Sequence, residues 1–199
     1  VEGDQLAEPK SGTGNVGDSV EEAAVAVRGY RVQGNSTKSI TLGEDAADNV
    51  ISFIYEPLAT AVTFNGNGGS GGAAGTQGTF TFGKAPAPIA GGSAMTAPAH
   101  KKLIGWYSSA TGGTKWYNAD GTIADDAPLV DGVYDGLGTG EGWSVPARLT
   151  LFAQWEYISY TITFLPGEGS GSAMDSLQVT YGSDAVFPEC TFTVPAHSQ

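Results

Sequence analysis

The sequence has few residues of several types, and each shortage excludes a class of protein. Cys190 is the one cysteine among 199 residues, so the chain cannot form an internal disulfide. The chain has only 9 Lys and Arg residues against 21 Asp and Glu residues, which gives a net charge of -12. The basic residues form no stripe that could bind a nucleic-acid backbone. The longest apolar runs, such as residues 49–55, are far shorter than the roughly 18 residues of a membrane-spanning helix. We therefore expect no nucleic-acid partner and no membrane span in this chain.

Charged residues and clustered metal ligands are also scarce. Charged side chains form 15% of the chain, against about a quarter in an average domain, whereas glycine occurs 30 times. This composition predicts many turns and short elements, and therefore a β-rich fold. The 2 histidines and the lone cysteine lack the spacing of a zinc site. An acidic, nearly cysteine-free chain of this kind fits exported bacterial surface proteins, although many cytosolic proteins are also poor in cysteine.

A glycine-rich segment raises the question of a cofactor. Residues 62–75, VTFNGNGGSGGAAG, follow a strand-like run and place Gly66, Gly68 and Gly71 in the G-x-G-x-x-G pattern of a dinucleotide-binding turn. Such a turn needs a following helix whose N-terminal N–H groups face the pyrophosphate. The residues after Gly71 instead alternate Phe and Thr, which predicts a loop and then a strand at residues 78–84. We therefore predict no cofactor.

An internal repeat gives a second reason for that prediction. Residues 61–75 align with residues 161–175, and in the copy the first two glycines of the pattern become Pro166 and Glu168. Only the later Gly-Ser-Gly of the loop is shared. The glycines therefore belong to the repeat, and the chain carries one complete unit and the start of another.

Turn residues and apolar positions divide the chain into three units. Their bounds are residues 1–57, 58–157 and 158–199. In the first unit, Ser19 and Glu22 form an S-x-x-E capping box before an Ala/Val run, which predicts a short helix over residues 20–27. The rest of that unit reads as short strands, which end with an alternating segment at residues 49–55.

Alternating side chains predict the strands of the second unit. Phe64 lies in an opening strand, and residues 101–109 and 114–121 form a hairpin. Residues 148–157, RLTLFAQWEY, close the unit with four apolar side chains on one face. Between the hairpin and that strand, residues 119–147 form an insertion that we expect to be mostly loop.

These motifs resemble two known families of repeats. The module from VTFNGNGG through KKLIGWYSSATGGTKWY to LTLFAQW closely resembles the internalin-type B-repeat, also called the Listeria/Bacteroides repeat. Family units run from V-T-F-x-x-x-G-G through G-W/Y to L-Y-A-Q-W, and Phe152 stands here where Tyr is commoner. Residues 158–199 resemble a truncated second copy. Residues 1–57, with LAEP, GYRVQG, SITL and NVISFIYEP, are similar to the mucin-binding-protein (MucBP) repeat, whose opening strand we expect to be missing.

The resemblance implies a fold, a location and a role. Both families form tandem β-grasp-like, ubiquitin-like units on bacterial surface proteins. This implies a β-rich α+β fold of small units that are mostly strands, with at most one short helix each. It also implies a secreted or cell-wall location and a role as stalk or adhesion module. The implied partners are neighbouring repeats of the same chain and a host glycan, mucin or surface protein.

The sequence favours a non-catalytic role. It has no paired His and carboxylate, no nucleophile elbow and no metal-ligand spacing, so we expect that the chain is not an enzyme. The function we expect is that of a non-catalytic repeat region of a bacterial cell-surface protein. The alternative is a carbohydrate-recognition accessory module of a larger surface enzyme.

Large aromatic residues are the expected core. Trp106 and Trp155 lie in the strand patterns of the second unit, and Phe64 and Phe164 occupy equivalent positions in the two repeats. A unit of this size needs large buried side chains to offset the entropy lost on folding. We therefore expect all four rings to be structural.

Two further tryptophans are candidates for ligand contact. Trp143 lies in the insertion, where an exposed ring could stack on a sugar or on a protein partner, or could cover the flank of the unit. Trp116, in the hairpin, is open to either role.

Carboxylates are concentrated in the insertion. They are Asp120, Asp125, Asp126, Asp131, Asp135 and Glu141. Calcium requires about six to eight oxygens around one centre, and the spacing here is not that of an EF-hand loop. We expect a solvated acidic loop, and calcium binding stays open at this point.

Overall fold

A computed structural model of the chain describes residues 5–90, 94–136 and 145–195. These residues form short strands and contain no α-helix, so the prediction of a β-rich fold is confirmed. The strands are β1 (Ser19–Ala23), β2 (Tyr30–Val32), β3 (Thr37–Thr41), β4 (Tyr55–Pro57), β5 (Ala59–Asn65), β6 (Ser70–Gly71), β7 (Gln77–Thr81), β8 (Met95–Thr96), β9 (Lys101–Tyr107), β10 (Lys115–Asn118), β11 (Arg148–Tyr157), β12 (Ser159–Ile162) and β13 (Leu177–Thr180). No helix in the described ranges is long and apolar enough to cross a membrane.

The first unit consists of two small antiparallel sheets, β1–β3 and β2–β4. The helix predicted over residues 20–27 is wrong, because Ser19–Ala23 is strand β1 and pairs with β3. A helix of eight residues is marginal without packing, whereas β1 gains backbone partners by pairing with β3, in which Thr37, Ile40 and Thr41 are β-branched. The Glu22 carboxylate contacts Lys10 and caps no helix.

The second unit is built on a five-stranded mixed sheet with the order β10-β9-β11-β5-β7. Its first strand, β5, lies parallel to its last strand, β11, while the other neighbours in the sheet are antiparallel. The predicted opening strand, the hairpin of β9 and β10 and the closing strand are confirmed. The predicted strand at residues 78–84 is shorter and spans Gln77–Thr81.

The core of the chain lies on one face of this sheet. Side chains along β5 alternate between exposed and buried, as the period of two residues in a half-buried strand requires. The buried apolar cluster consists of Val62, Phe64, Ala73, Phe80, Trp106, Trp116, Tyr117, Tyr134, Leu151 and Ala153. Each fully buried large side chain contributes about 1.5–3 kcal/mol. This cluster lies entirely within residues 58–157, so the second unit holds the main core among the described residues.

The third unit is a two-stranded sheet of β12 and β13. Several of its large apolar side chains, including Leu165, Val186 and Phe187, are more than half exposed. The last strand of one unit and the first strand of the next are separated by a single residue. Leu58 alone separates β4 from β5, and Ile158 alone separates β11 from β12.

Candidate functional site

A groove of about 1370 Å³ lies in the first unit. It lies among strands β1 to β4 and is lined mainly by apolar side chains. Among the residues that line it are Val16, Val25, Ile40, Leu42, Phe53 and Ile54. Concave surfaces with apolar walls and a few polar groups are typical of ligand sites.

The groove is open because the first unit has no tightly packed interior of its own. No side chain of residues 5–57 belongs to the buried apolar cluster. Val16, Val25 and Ile54 are each more than half exposed, and all three line the groove. Such patches on a small protein usually mark an interaction surface. We call this surface the N-terminal groove.

Two exposed ion pairs accompany the N-terminal groove. Glu22, which lines it, pairs with Lys10, and Glu56 pairs with Arg31 across strands β2 and β4. The charges of these two pairs compensate each other locally, and Glu8 is the one other charged side chain among the described residues that line the groove. The groove is suited to an apolar or neutral ligand surface more than to an anion.

The rings expected to form the core differ in their burial. Trp106 is 0% exposed, and its ring packs edge-on against Phe64 at 5.2 Å between centroids. Its indole nitrogen has no hydrogen-bond partner among the described residues. Phe164, in the third unit, is half-buried and contacts Phe187 edge-on at 6.3 Å.

Trp116 belongs to the core and not to an open surface. It is 1% exposed and stacks on Phe80 at 5.0 Å between ring centroids. The sequence left this ring open to ligand contact, but a ring packed in this way has no free face to offer. The other candidate ligand contact, Trp143, lies outside the described residues.

Trp155 explains the glycine-rich turn that resembles a cofactor motif. Its indole N–H donates to the carbonyl oxygens of Gly66 at 3.2 Å and Asn67 at 3.0 Å, so the turn closes over the ring. A Cβ on Gly69 would collide with the same ring. The turn leads into β7, as the predicted loop and strand required. Gly66 and Gly69 of this turn therefore pack against Trp155.

Two carboxylates of the acidic insertion make contacts within the chain. Asp120 accepts hydrogen bonds from the Thr122 backbone N–H at 2.9 Å and hydroxyl at 2.6 Å, and these bonds hold the pKa of Asp120 below its ordinary value. Asp135 pairs with Arg28 of the first unit. Among the described residues, no three His, Cys, Asp or Glu side chains are grouped so that they could hold a metal ion. Glu141 lies outside those residues.

Tyr134 anchors the insertion to the core, which the sequence pattern did not predict. Its hydroxyl shares a buried hydrogen bond of 2.7 Å with Thr60 of β5, and its backbone pairs with that of Gly83 and Lys84. Burial raises the pKa of Tyr134, and the bond to Thr60 partly offsets this. The only signal in the sequence was an aromatic residue just after Val133 in the acidic insertion.

Two further tyrosines have a raised pKa. Burial raises the pKa of Tyr117, whose hydroxyl donates to the carbonyl oxygen of Ala87. Tyr107 has its pKa raised first by burial and then by the charges of Asp126 and Glu156. These phenols stay neutral at physiological pH, and Tyr117 holds the loop at Ala87 on the sheet.

The chain matches no protein-family model, no curated protein and no solved structure. The resemblance to B-repeats and MucBP repeats therefore stays a prediction.

Proposed function

We propose that this chain is a stalk region of a bacterial cell-surface protein, built from tandem β-grasp-like units and carrying an adhesive surface. The observation that supports it best is the parallel pairing of β5 with β11. Because the first and last strands of the second unit run side by side in the same direction, the chain enters at one end of the sheet and leaves at the other. Units linked in this way follow one another end to end.

The register of that pair sets the length of one unit. Arg148 lies level with Ala61, and β11 then continues to Tyr157. At about 3.3 Å per residue, Ala59 and Tyr157 are roughly 35 Å apart along the strand direction. Each added unit would therefore move a distal domain outward by a similar distance.

The accessible surface also supports an array of small bodies. It amounts to 13231 Å², whereas a single compact protein of 20.3 kDa exposes about 8800 Å². The excess of roughly half argues against one shared core.

The sheet order supports the β-grasp-like part of the proposal. The first and last strands of the unit are central neighbours, and the middle strands lie outside them. A crossing helix, which the ubiquitin-like description implies, is not found in residues 82–90 and 94–100, which contain β8 and turns. The proposal is thus a β-grasp-like sheet without that helix in the described residues.

Solution scattering tests the stalk. A compact chain of 199 residues has a radius of gyration of about 16 Å. The proposal predicts a value of roughly 24 Å, that of a rod about 80 Å long. A radius close to the compact value would refute it.

The N-terminal groove supports the adhesive part of the proposal, with mucin-type glycoprotein as the partner class. Val25→Ser places a hydroxyl in the apolar wall of the groove and is expected to reduce retention on immobilised mucin several-fold. Val186→Ser is the matched control, because Val186 is also exposed but lies in the third unit. Equal retention of the two variants would count against the groove as the adhesive surface.

A further inference from the structure

The two boundaries between units are built by the same hydrogen bonds. At the first boundary, the N–H of Leu58 donates to the carbonyl oxygen of Gly29 at 2.8 Å, and the N–H of Phe82 donates to the carbonyl oxygen of Leu58 at 2.9 Å. The single linking residue is therefore held on one side by the preceding unit and on the other by its own unit.

The second boundary repeats this arrangement with different residues. The N–H of Ile158 donates to the carbonyl oxygen of His100 at 2.9 Å, and the N–H of Tyr181 donates to the carbonyl oxygen of Ile158 at 2.9 Å. Ile158 takes the place of Leu58, and Tyr181 that of Phe82. Since none of these residues is identical between the boundaries, the shared geometry belongs to the way the units meet.

The accepting residue has a left-handed backbone at both boundaries. Gly29 has a φ of 80° and His100 a φ of 60°. Glycine adopts this conformation freely, but histidine does so at a cost that its surroundings must offset. In both units this residue directly precedes a strand, β2 or β9. The first residue of that strand pairs with the last residue of the unit, Tyr30 with Pro57 and Lys101 with Tyr157.

An aromatic ring of the following unit packs on that turn. Tyr181 stacks on the His100 imidazole with 3.7 Å between centroids and 8° between planes. Phe82 meets Tyr30 edge-on at 5.6 Å, and a Cβ on Gly29 would collide with the Phe82 ring. At the first boundary the ring packs directly on the Gly29 backbone, and at the second it stacks on the His100 side chain.

An ion pair flanks each boundary in the same register. Arg31 and Glu56 lie opposite each other in β2 and β4. Lys102 and Glu156 occupy the corresponding positions in β9 and β11. In each case the basic residue follows the left-handed residue by two positions, and the acidic one precedes the linking residue by two.

We propose that these residues form one recurrent interface, the unit joint, in which each unit presents a docking face to the left-handed turn of the unit before it. The face consists of the linking residue and the aromatic residue, Leu58 with Phe82 or Ile158 with Tyr181. Its partner is the turn at Gly29 or His100. The joint fixes the orientation of successive units, so the stalk is stiff and not a flexible string of units. This inference rests on the proposed function.

Distance measurements between spin labels test the second joint in the full chain. One label is placed on the native Cys190 of the third unit and one on Thr63→Cys, an exposed position of β5. The joint predicts a narrow distance distribution. Tyr181→Ala removes the docking ring and is expected to widen the distribution roughly twofold or more, since units without a substantial interface move freely.

Two variants control this measurement. Tyr160→Ala removes the same side chain from β12 of the same unit, and with exposures of 47% and 42% the two tyrosines are well matched. It is expected to leave the distribution narrow. Tyr181→Phe restores the residue type of the first joint and is expected to stay narrow as well.

The first joint gives an independent repeat that does not depend on the folding of the third unit. Labels on Ser39→Cys and Thr63→Cys, in a Cys190→Ser background, report on the first and second units. Phe82→Ala is expected to widen this distribution in the same way. Equal widths for Tyr181→Ala and Tyr160→Ala, with no effect of Phe82→Ala, would overturn the joint. The radius of gyration separates this failure from failure of the proposed function. If the radius is extended, the chain is a flexible stalk without the joint; if it is compact, the stalk itself is refuted.

Discussion

Leu151→Ala is the substitution that tests most sharply whether the second unit has its own core. Leu151 lies in β11 level with Phe64 of the parallel strand β5, and it is 0% exposed. The change removes about three methyl or methylene groups, which is worth roughly 2.4 kcal/mol in transfer free energy. The cavity left behind adds to this, and buried Leu to Ala changes cost about 2.7–5 kcal/mol in all. We expect a loss of about 3 kcal/mol in the free energy of unfolding.

Tryptophan fluorescence during urea unfolding measures this loss selectively. All 4 tryptophans lie within residues 58–157, so the signal reports on the second unit alone. For a unit of that size, about 3 kcal/mol corresponds to a melting temperature lower by roughly 12–24 °C. Should Leu151→Ala not fold, Leu151→Val gives a milder change of about 1 kcal/mol in the same direction.

Leu165→Ala is the control for this prediction. Leu165 is 78% exposed in the third unit, so its removal is expected to change the free energy by less than about 0.5 kcal/mol. If the unfolding curves of Leu151→Ala and Leu165→Ala coincide, the packing of β11 against β5 has been wrongly described.

Three further outcomes follow from the contacts around the core. Gly69→Ala should destabilise the second unit by about 1–3 kcal/mol in urea unfolding, because its Cβ would collide with Trp155; an unchanged midpoint would contradict the closed turn. Trp155→Phe should lower the free energy of unfolding by about 1–2 kcal/mol in the same measurement, since two carbonyl oxygens lose their donor. An unchanged free energy would mean that water replaces the indole N–H without cost. Because burial raises the pKa of Tyr117 and Tyr134, the contribution of these two groups to stability should be constant below about pH 10 and should fall as the pH rises beyond it. Tyr134→Phe should flatten that fall, and a fall of equal size would assign it to other groups.

Local patterns predicted the second unit well. The alternation of side chains along residues 148–157 and around Phe64 is a property of consecutive residues, so it can be read before the partners of a strand are known. The helix expected at residues 20–27 failed for the opposite reason. A local capping signal lost to pairing with β3, which lies some distance along the chain.

Trp116 shows a second limit of sequence patterns. A regular strand buries alternate residues, but Trp116 and Tyr117 are both buried. The register of β10 on β9 shifts between Lys115 and Tyr117, and such a bulge turns two neighbouring side chains toward the same core. Nothing in the sequence of one strand specifies a bulge of this kind.

The joints between units were also beyond prediction from the sequence. Each brings together a turn, a linking residue and an aromatic ring from separate parts of the chain, and the two joints share no identical residue among these. The internal repeat aligned residues 61–75 with residues 161–175, but only the structure relates Gly29 to His100 through their backbone conformation.

The central claim is that units follow one another end to end, and duplication of residues 58–157 within the chain tests it most directly. The maximum dimension from small-angle scattering should increase by roughly 35 Å, the length of one unit along β5 and β11. Compact packing of the added unit would instead increase the diameter by only roughly 7 Å. The larger increase supports a stalk of serial units, and the smaller one contradicts it.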